Sequence, residues 1–100
     1  MIVAFSVSPS GGDPDGGVSE AVARAVKVVR DSGLPNSTNA MFTNVEGEWD
    51  AVMDVVKRAV EAAGEGSSRV SLVLKADIRP GFSGQLEAKV DRVEARLRDA

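Results

Sequence analysis

Glu46-Gly47-Glu48-Trp49-Asp50 decides the fold, because it marks a strand that runs into a helix through a single glycine. After this stretch, apolar residues recur at spacings of three and four over about four turns, which is typical of an amphipathic helix packed on a core. The preceding segment, 37–43, carries amides and hydroxyls where a buried hairpin would carry Val and Ile. We interpret it as a surface kept polar for a ligand or a partner; a solvated hairpin at the edge of a sheet is the alternative. The helical stripe consists of Trp49, Val52, Met53, Val56, Val60 and Ala63.

Composition limits the classes of function open to the chain. Its 100 residues suit one domain, and it contains no cysteine, which excludes disulfides, thiolate metal sites and thiol nucleophiles. It also contains no histidine, the usual general base near neutral pH and the commonest metal ligand. The net charge of −3 argues against a nucleic-acid partner, because phosphate binding needs clustered Lys and Arg.

Hydropathy predicts neither a membrane span nor an export signal. No apolar run approaches the ~18 residues that a spanning helix needs. The N-terminal stretch, Ile2 to Val7, itself has a strand pattern and no basic region before it, so we expect no signal peptide and no membrane partner. The cytoplasm is the expected compartment.

Alternation and turn residues predict the element order β-α-β-β-α-β-α. The first strand covers Ile2 to Ser8, and two short strands with a turn near Ala40 to Phe42 fill 34–47. A further strand runs from Val70 to Ile78 and is broken by Arg79-Pro80-Gly81. The first helix, ended by Gly33, is predicted to bury Val18, Val22, Val26 and Val29 with Ala25 beside them. The third follows Ser83 with the stripe Leu86, Val90, Val93 and Leu97.

This order predicts a single α+β domain over 1–100, the ferredoxin-like βαββαβ sandwich. Right-handed crossovers place both long helices on one face of a four-stranded antiparallel sheet, with the first and third strands central and an additional C-terminal helix. We expect the half-apolar opposite face to meet another subunit or the third helix. The helix-side residues are Val3, Phe5, Val7, Val70, Leu72 and Leu74. The opposite face takes Ile2, Ala4, Ser6, Ser8, Ser71, Val73, Lys75 and Asp77.

The same topology sorts polar residues between the two ends of the sheet. Ser8, the glycine-rich loop after Pro9 and the hairpin tip from Asn39 to Thr43 share one end. Asp77 and Glu46 lie at the other. A polar site is most natural at the first end, where a loop could close over it.

The chain resembles a small ferredoxin-like family of thiamine-binding proteins along almost its whole length. The most distinctive shared segment is Thr43-Asn44-Val45-Glu46-Gly47-Glu48-Trp49-Asp50, and the first strand, Ala4 to Pro9, also matches. The resemblance implies subunits assembled into dimers and tetramers through their sheets. It also implies a small-molecule ligand near a subunit interface, thiamine or its hydroxymethylpyrimidine half, bound without catalysis and with no other cofactor.

A thiamine site needs a flat apolar wall together with hydroxyl and amide groups. The first end of the sheet offers Met41 and Phe42 as the wall, and an aromatic face over the thiazolium cation would add ~0.5–2 kcal/mol. The structural alternative for Ser6 and Ser8 is that they are simply small residues that allow two sheets to pack together. The candidate ligand-binding residues are Ser6, Ser8, Asn39, Met41, Phe42 and Thr43.

Other conspicuous residues have structural interpretations. We assign Glu46, Glu48 and Asp50 to the positive end of a helix; a carboxylate metal site is the alternative, although nothing supplies further ligands at the right spacing. The glycines of 11–17 match neither the dinucleotide fingerprint nor the P-loop, so we expect a flexible loop. Trp49 is expected in the core.

Two other functions remain open at this point. A small ferredoxin-like enzyme would have to use Lys75 or Asp77 as its base, whereas we expect these two to form surface or intersubunit charge contacts. The third possibility is a purely oligomerising or regulatory module.

Overall fold

A computed structural model describes residues 1–11 and 17–100 of the protein. Most of the glycine-rich loop lies outside these residues, so its predicted flexibility stays a prediction. The elements are β1 (Ile2–Pro9), α1 (Ser19–Asp31), β2 (Asn36–Thr38), β3 (Thr43–Glu46), α2 (Trp49–Ala63), β4 (Val70–Asp77) and α3 (Gln85–Arg98). The predicted order is confirmed.

The four strands form one antiparallel sheet in the order β2-β3-β1-β4, with β1 and β3 in the centre. Phe5 pairs with Leu74 and Ser6 pairs with Val73, so the predicted division of β1 and β4 into a helix-facing side and an open side is confirmed. The fold is therefore the ferredoxin-like α+β sandwich.

Helices α1 and α2 lie side by side on one face of the sheet, α1 over β1 and β2, and α2 over β1 and β4. The buried residues of α1 are Ala21, Ala25 and Val29, and those of α2 are Val52, Val55, Val56, Ala59 and Ala63. Alanine on both helices allows their backbones to approach closely. The predicted stripe on α1 is therefore partly wrong, because Val18, Val22 and Val26 are only half-buried.

The predicted core position of Trp49 is also wrong, since its side chain is 54% exposed. A Cβ atom on Gly47 would lie 3.2 Å from a methyl group of Val52, so the glycine lets the chain pass close beneath this residue. Helix α2 first reaches the core at Val52, one turn after Trp49. Val55, absent from the predicted stripe, is buried in its place.

Helix α3 is held at its first turn by the carboxylate of Glu46. The backbone N–H groups of Gln85 and Leu86 donate to the two oxygens of Glu46, at 2.8 and 3.1 Å. Glu46 is 5% exposed, so this anion is buried against the positive end of a helix. The predicted role as a helix-end anion holds, but the helix is one that begins 39 residues later in the sequence.

The rest of α3 makes few contacts with the domain. None of its residues is buried, and Val90, Val93 and Leu97 are each more than half exposed. Lys89 donates to Asp77 at 2.7 Å, which adds a second charged attachment to the end of the sheet. The apolar stripe predicted for this helix therefore faces away from the domain core.

Replacing Glu46 with alanine is expected to lower the free energy of unfolding by about 1.5–3 kcal/mol, because hydrogen bonds to a charged group contribute roughly that much. Glu48→Ala is the matched control: Glu48 is exposed and its side chain makes no capping bond to α2, so we expect a change within about 0.5 kcal/mol. Urea denaturation followed by circular dichroism measures both. Equal destabilisation in the two variants would contradict the capping role.

Candidate functional site

A cleft of about 210 Å³ opens between α1 and the tip of the β2–β3 hairpin. Phe5 and Val7 of β1 form its floor on the helix-facing side of the sheet, and Ala25 lies on the opposite wall. The remaining residues around it are Ser6, Val18, Val22, Val26, Thr38, Asn39, Ala40, Met41, Phe42 and Thr43. The cleft is the place where α1 leaves the end of the sheet uncovered.

Strand pairing brings hydroxyl groups to the floor of the cleft. Thr43 pairs with Phe5 in one direction and with Thr38 in the other, so the three residues form a row on the helix-facing side. Thr43 is buried, at 7% exposure, whereas Thr38 at the edge is exposed. An apolar floor thus ends in two hydroxyl groups at its outer side.

The hairpin tip is built on the side chain of Asn39. Its Oδ1 accepts hydrogen bonds from the backbone N–H groups of Met41 and Phe42, each at 2.9 Å. The backbone N–H of Asn39 donates to the Phe42 carbonyl oxygen at 3.0 Å and closes the turn. Because the oxygen is used by the turn, the Nδ2 amide is the group of Asn39 that remains to donate to a ligand.

The structure brings five of the six sequence-predicted ligand residues to this cleft. Asn39, Met41, Phe42 and Thr43 line it from the hairpin, and Ser6 lines it from β1. Ser6 pairs with Val73 on the open face, so its side chain points away from the cleft and its backbone forms the lining.

Ser8, the sixth predicted residue, lies outside the cleft. It is exposed and pairs with Ser71 on the open face of the sheet. The residues whose place at the cleft was not predicted are Val18, which directly precedes α1, and Val22 and Val26 of α1; all three were predicted to lie in the core. The sequence did contain a signal for this. The valines form one apolar stripe and the alanines of α1 form another, and two apolar stripes on one helix indicate that it contacts two different surfaces.

No ionisable side chain lines the cleft among the residues that the structure describes. The lining combines apolar side chains, hydroxyls and one amide, and the hairpin provides Phe42, half-buried, and Met41, 73% exposed. Such a surface can hold a small flat ring and hydrogen-bond to its edge. It offers no general acid or base for a reaction.

At the opposite end of the sheet, Asp77 lies among positively charged groups. The Lys89 ammonium beside Asp77 lowers the pKa of that carboxyl, mainly through their hydrogen bond, and Arg79 lowers it further. Arg79 also lies over the ring of Phe82, 3.5 Å from its centre. A carboxylate with a lowered pKa is a weaker base, so these contacts argue against Asp77 as a catalytic base.

Neither a metal centre nor a membrane segment is found in the described part of the chain. Residues 1–11 and 17–100 bring together no group of three acidic side chains suited to hold an ion. Over the same ranges, no helix has the length and apolar composition needed to cross a bilayer.

Comparison with known proteins gives one consistent family. The model of a family described as thiamine-binding protein matches residues 3–94. A UPF0045 protein of Mycobacterium bovis is 53% identical over 98 residues, which cover 97% of this chain and 94% of that protein.

Solved structures agree with the observed fold. A domain of unknown function, DUF77, from Bacillus cereus superposes with a TM-score of 0.76 at 36% identity, over 89% of this chain and 85% of that one. A candidate thiamine biosynthesis or salvage protein of Thermotoga maritima superposes with a TM-score of 0.73 at 26% identity, over 89% and 95%.

Proposed function

This chain belongs to the thiamine-binding protein family, and we propose that it binds thiamine or its hydroxymethylpyrimidine moiety, without catalysis, in the cleft between α1 and the hairpin tip. The observation that carries the proposal is the convergence of Asn39, Met41, Phe42 and Thr43 on one cleft. Lys75, which pairs with Ala4 on the open face of the sheet, and Asp77, which pairs with Ile2, do not line this cleft.

The chemistry of the cleft complements an aminopyrimidine. Such a ring is flat and apolar on its faces but donates and accepts hydrogen bonds at its edge. Val22 and Val26 on one side and Phe42 on the other provide apolar walls. The Nδ2 amide of Asn39 and the hydroxyl of Thr43 provide the edge contacts, one as a donor and one as donor or acceptor.

The neutral lining also bears on which form of the vitamin would enter. A diphosphate is recognised by Lys, Arg or a metal ion, and none of these lines the cleft among the described residues. We therefore propose the unphosphorylated compounds as ligands. The thiazolium cation of thiamine itself would rest against the ring of Phe42.

Assembly into a homo-oligomer, a dimer or a tetramer, is part of the proposal. On the open face of the sheet, Ile2 and Ala4 are only half-buried and Val73 is 59% exposed. Helix α3 adds a second exposed apolar stripe next to this face. Exposed apolar surface of this kind is typical of contacts between subunits. Compared with a purely oligomerising or regulatory module, a binding protein also accounts for the polar hairpin and its cleft.

Calorimetry with hydroxymethylpyrimidine, a neutral probe, tests the proposed site. Asn39→Asp retains the acceptor of the turn but removes the amide donor, and Thr43→Val removes the hydroxyl. We expect each variant to raise the Kd about tenfold or more, because an unpaired buried polar group costs about 1–3 kcal/mol. Asn39→Ala would be a poorer test, since it also removes the acceptor of two turn hydrogen bonds.

Asn36→Asp is the matched control, because Asn36 is an amide of the same hairpin whose Nδ2 donates to the Leu34 carbonyl oxygen at 2.9 Å, and it lines neither the cleft nor the open face. Its affinity should equal that of the wild type. A wild-type protein that gives no heat with thiamine or hydroxymethylpyrimidine at about 0.1 mM would overturn the proposed function. If Asn39→Asp and Thr43→Val both bind with unchanged affinity, the ligand does not bind in this cleft.

Ala4→Arg tests the assembly. If Ala4 lies between subunits, an arginine there brings a charge into an apolar contact at a cost of several kcal/mol, and the mass measured by light scattering should fall. Ala51→Arg, at an exposed position on α2, should leave the mass unchanged. A wild-type mass of 10.4 kDa, the mass of one chain, would rule out the oligomer.

A further inference from the structure

The chain contains three methionines and no cysteine, so thioethers are its only sulfur groups. Hydroperoxides oxidise a thioether to a sulfoxide, and exposure to solvent decides which methionine reacts first. Met1 and Met53 are half-buried, and Met1 packs against the core. Met41 is 73% exposed, the highest value among the exposed large hydrophobic residues of the described ranges. An oxidant in solution therefore reaches Met41 first.

Met41 belongs to the lining of the cleft between α1 and the hairpin tip. Its backbone N–H donates to Asn39 Oδ1 at 2.9 Å, which fixes its main chain at this place. Its side chain is unbranched and flexible, and most of it lies in solvent. Because the cleft lies on the helix-facing side of the sheet, contacts between subunits through the open face leave Met41 accessible. The most accessible sulfur of the chain thus lies at the proposed ligand site.

We propose that Met41 is a site of reversible oxidation that controls binding in the cleft, an inference that rests on the proposed function. The oxidant is a hydroperoxide such as hydrogen peroxide. Its O–O bond breaks as one oxygen is transferred to the thioether sulfur, and the proton on that oxygen passes to the departing one, which leaves as water. The sulfur loses two electrons and the peroxide gains them. Methionine sulfoxide reductases reverse the step, so the change can be undone.

The sulfoxide changes the polarity of the wall against which a ring would rest. Its oxygen is a hydrogen-bond acceptor that water solvates, whereas the thioether is nearly apolar. A bound ring would displace that water. The nearest side-chain donors along the chain, Asn39 Nδ2 and the Thr43 hydroxyl, are the groups that the proposed ligand itself uses. A buried polar group without a partner is costly, so we expect oxidation to raise the Kd about tenfold.

The same geometry predicts that the ligand protects Met41. A ring in the cleft covers part of this side chain and shields its sulfur from the oxidant. Met1 and Met53 do not line the cleft, so their oxidation rates should not change. We expect saturating hydroxymethylpyrimidine to slow the oxidation of Met41 alone.

Peroxide treatment of the whole chain, followed by proteolysis and mass spectrometry, measures the order of oxidation. Cleavage after glutamate places the three methionines in different peptides, because Glu20 and Glu46 lie between them. We expect the peptide with Met41 to gain one oxygen before the other two do. Faster oxidation of Met1 or Met53 would overturn the proposed site, and this measurement needs no ligand.

Calorimetry with hydroxymethylpyrimidine before and after peroxide treatment tests the control of binding. The wild type and Met53→Leu should each lose about tenfold in affinity, whereas the affinity of Met41→Leu should be the same before and after treatment. An oxidised wild type that binds as tightly as the reduced one would overturn the inference and leave the proposed function intact. An equal loss in Met41→Leu would also overturn it. A reduced wild type that fails to bind would instead overturn the proposed function and this inference together.

Discussion

The close packing of α1 against α2 is the constraint on which the other features of this structure depend. Ala21 and Ala25 on one helix and Ala59 and Ala63 on the other are all buried. Side chains this small bring the helices together, and two helices set close to each other cover only the middle of a four-stranded sheet. The tip of the hairpin and the outer side of β4 are left without a covering layer, and the first of these is the place where we propose a ligand.

Helix α3, in contrast, is held by charged groups and not by apolar packing. Two carboxylates attach it, Glu46 at its first turn and Asp77 through Lys89, and none of the helix's own side chains is buried. The buried carboxylate fixes where the helix begins but leaves its apolar stripe exposed. Attachment by charge at one end and an unpartnered stripe along the rest is consistent with a helix that completes its packing in an oligomer.

Much of the fold could be predicted from the sequence because strand alternation is a local property. The two faces of β1 and β4 follow from Val3, Phe5 and Val7 alternating with smaller residues, and the observed register agrees. The helices were harder. Hydrophobicity favoured the valines of α1 over its alanines, yet close helix packing needs the smaller side chain. The valines that were left over form the wall of the cleft.

The candidate site could be predicted in part for a related reason. The polar composition of the hairpin marked Asn39 and Thr43, and both reach the cleft. The partner of Glu46 could not be found, because it lies 39 residues away with no sequence signal that links the two. The exposure of Trp49 was not predicted either. Trp49 lies three residues before Val52 and therefore fits the spacing of the apolar stripe. As the first residue of α2, however, it lies where the helix has not yet reached the sheet.

The most direct test of the central claim is an amide NMR titration of the whole chain with hydroxymethylpyrimidine. If the cleft is the binding site, the largest shifts belong to Val22, Val26, Asn39 and Thr43, while Lys75, Asp77 and Lys89 at the opposite end stay unchanged. Shifts concentrated at Lys75, Asp77 and Lys89, with the hairpin and α1 unaffected, would contradict the account.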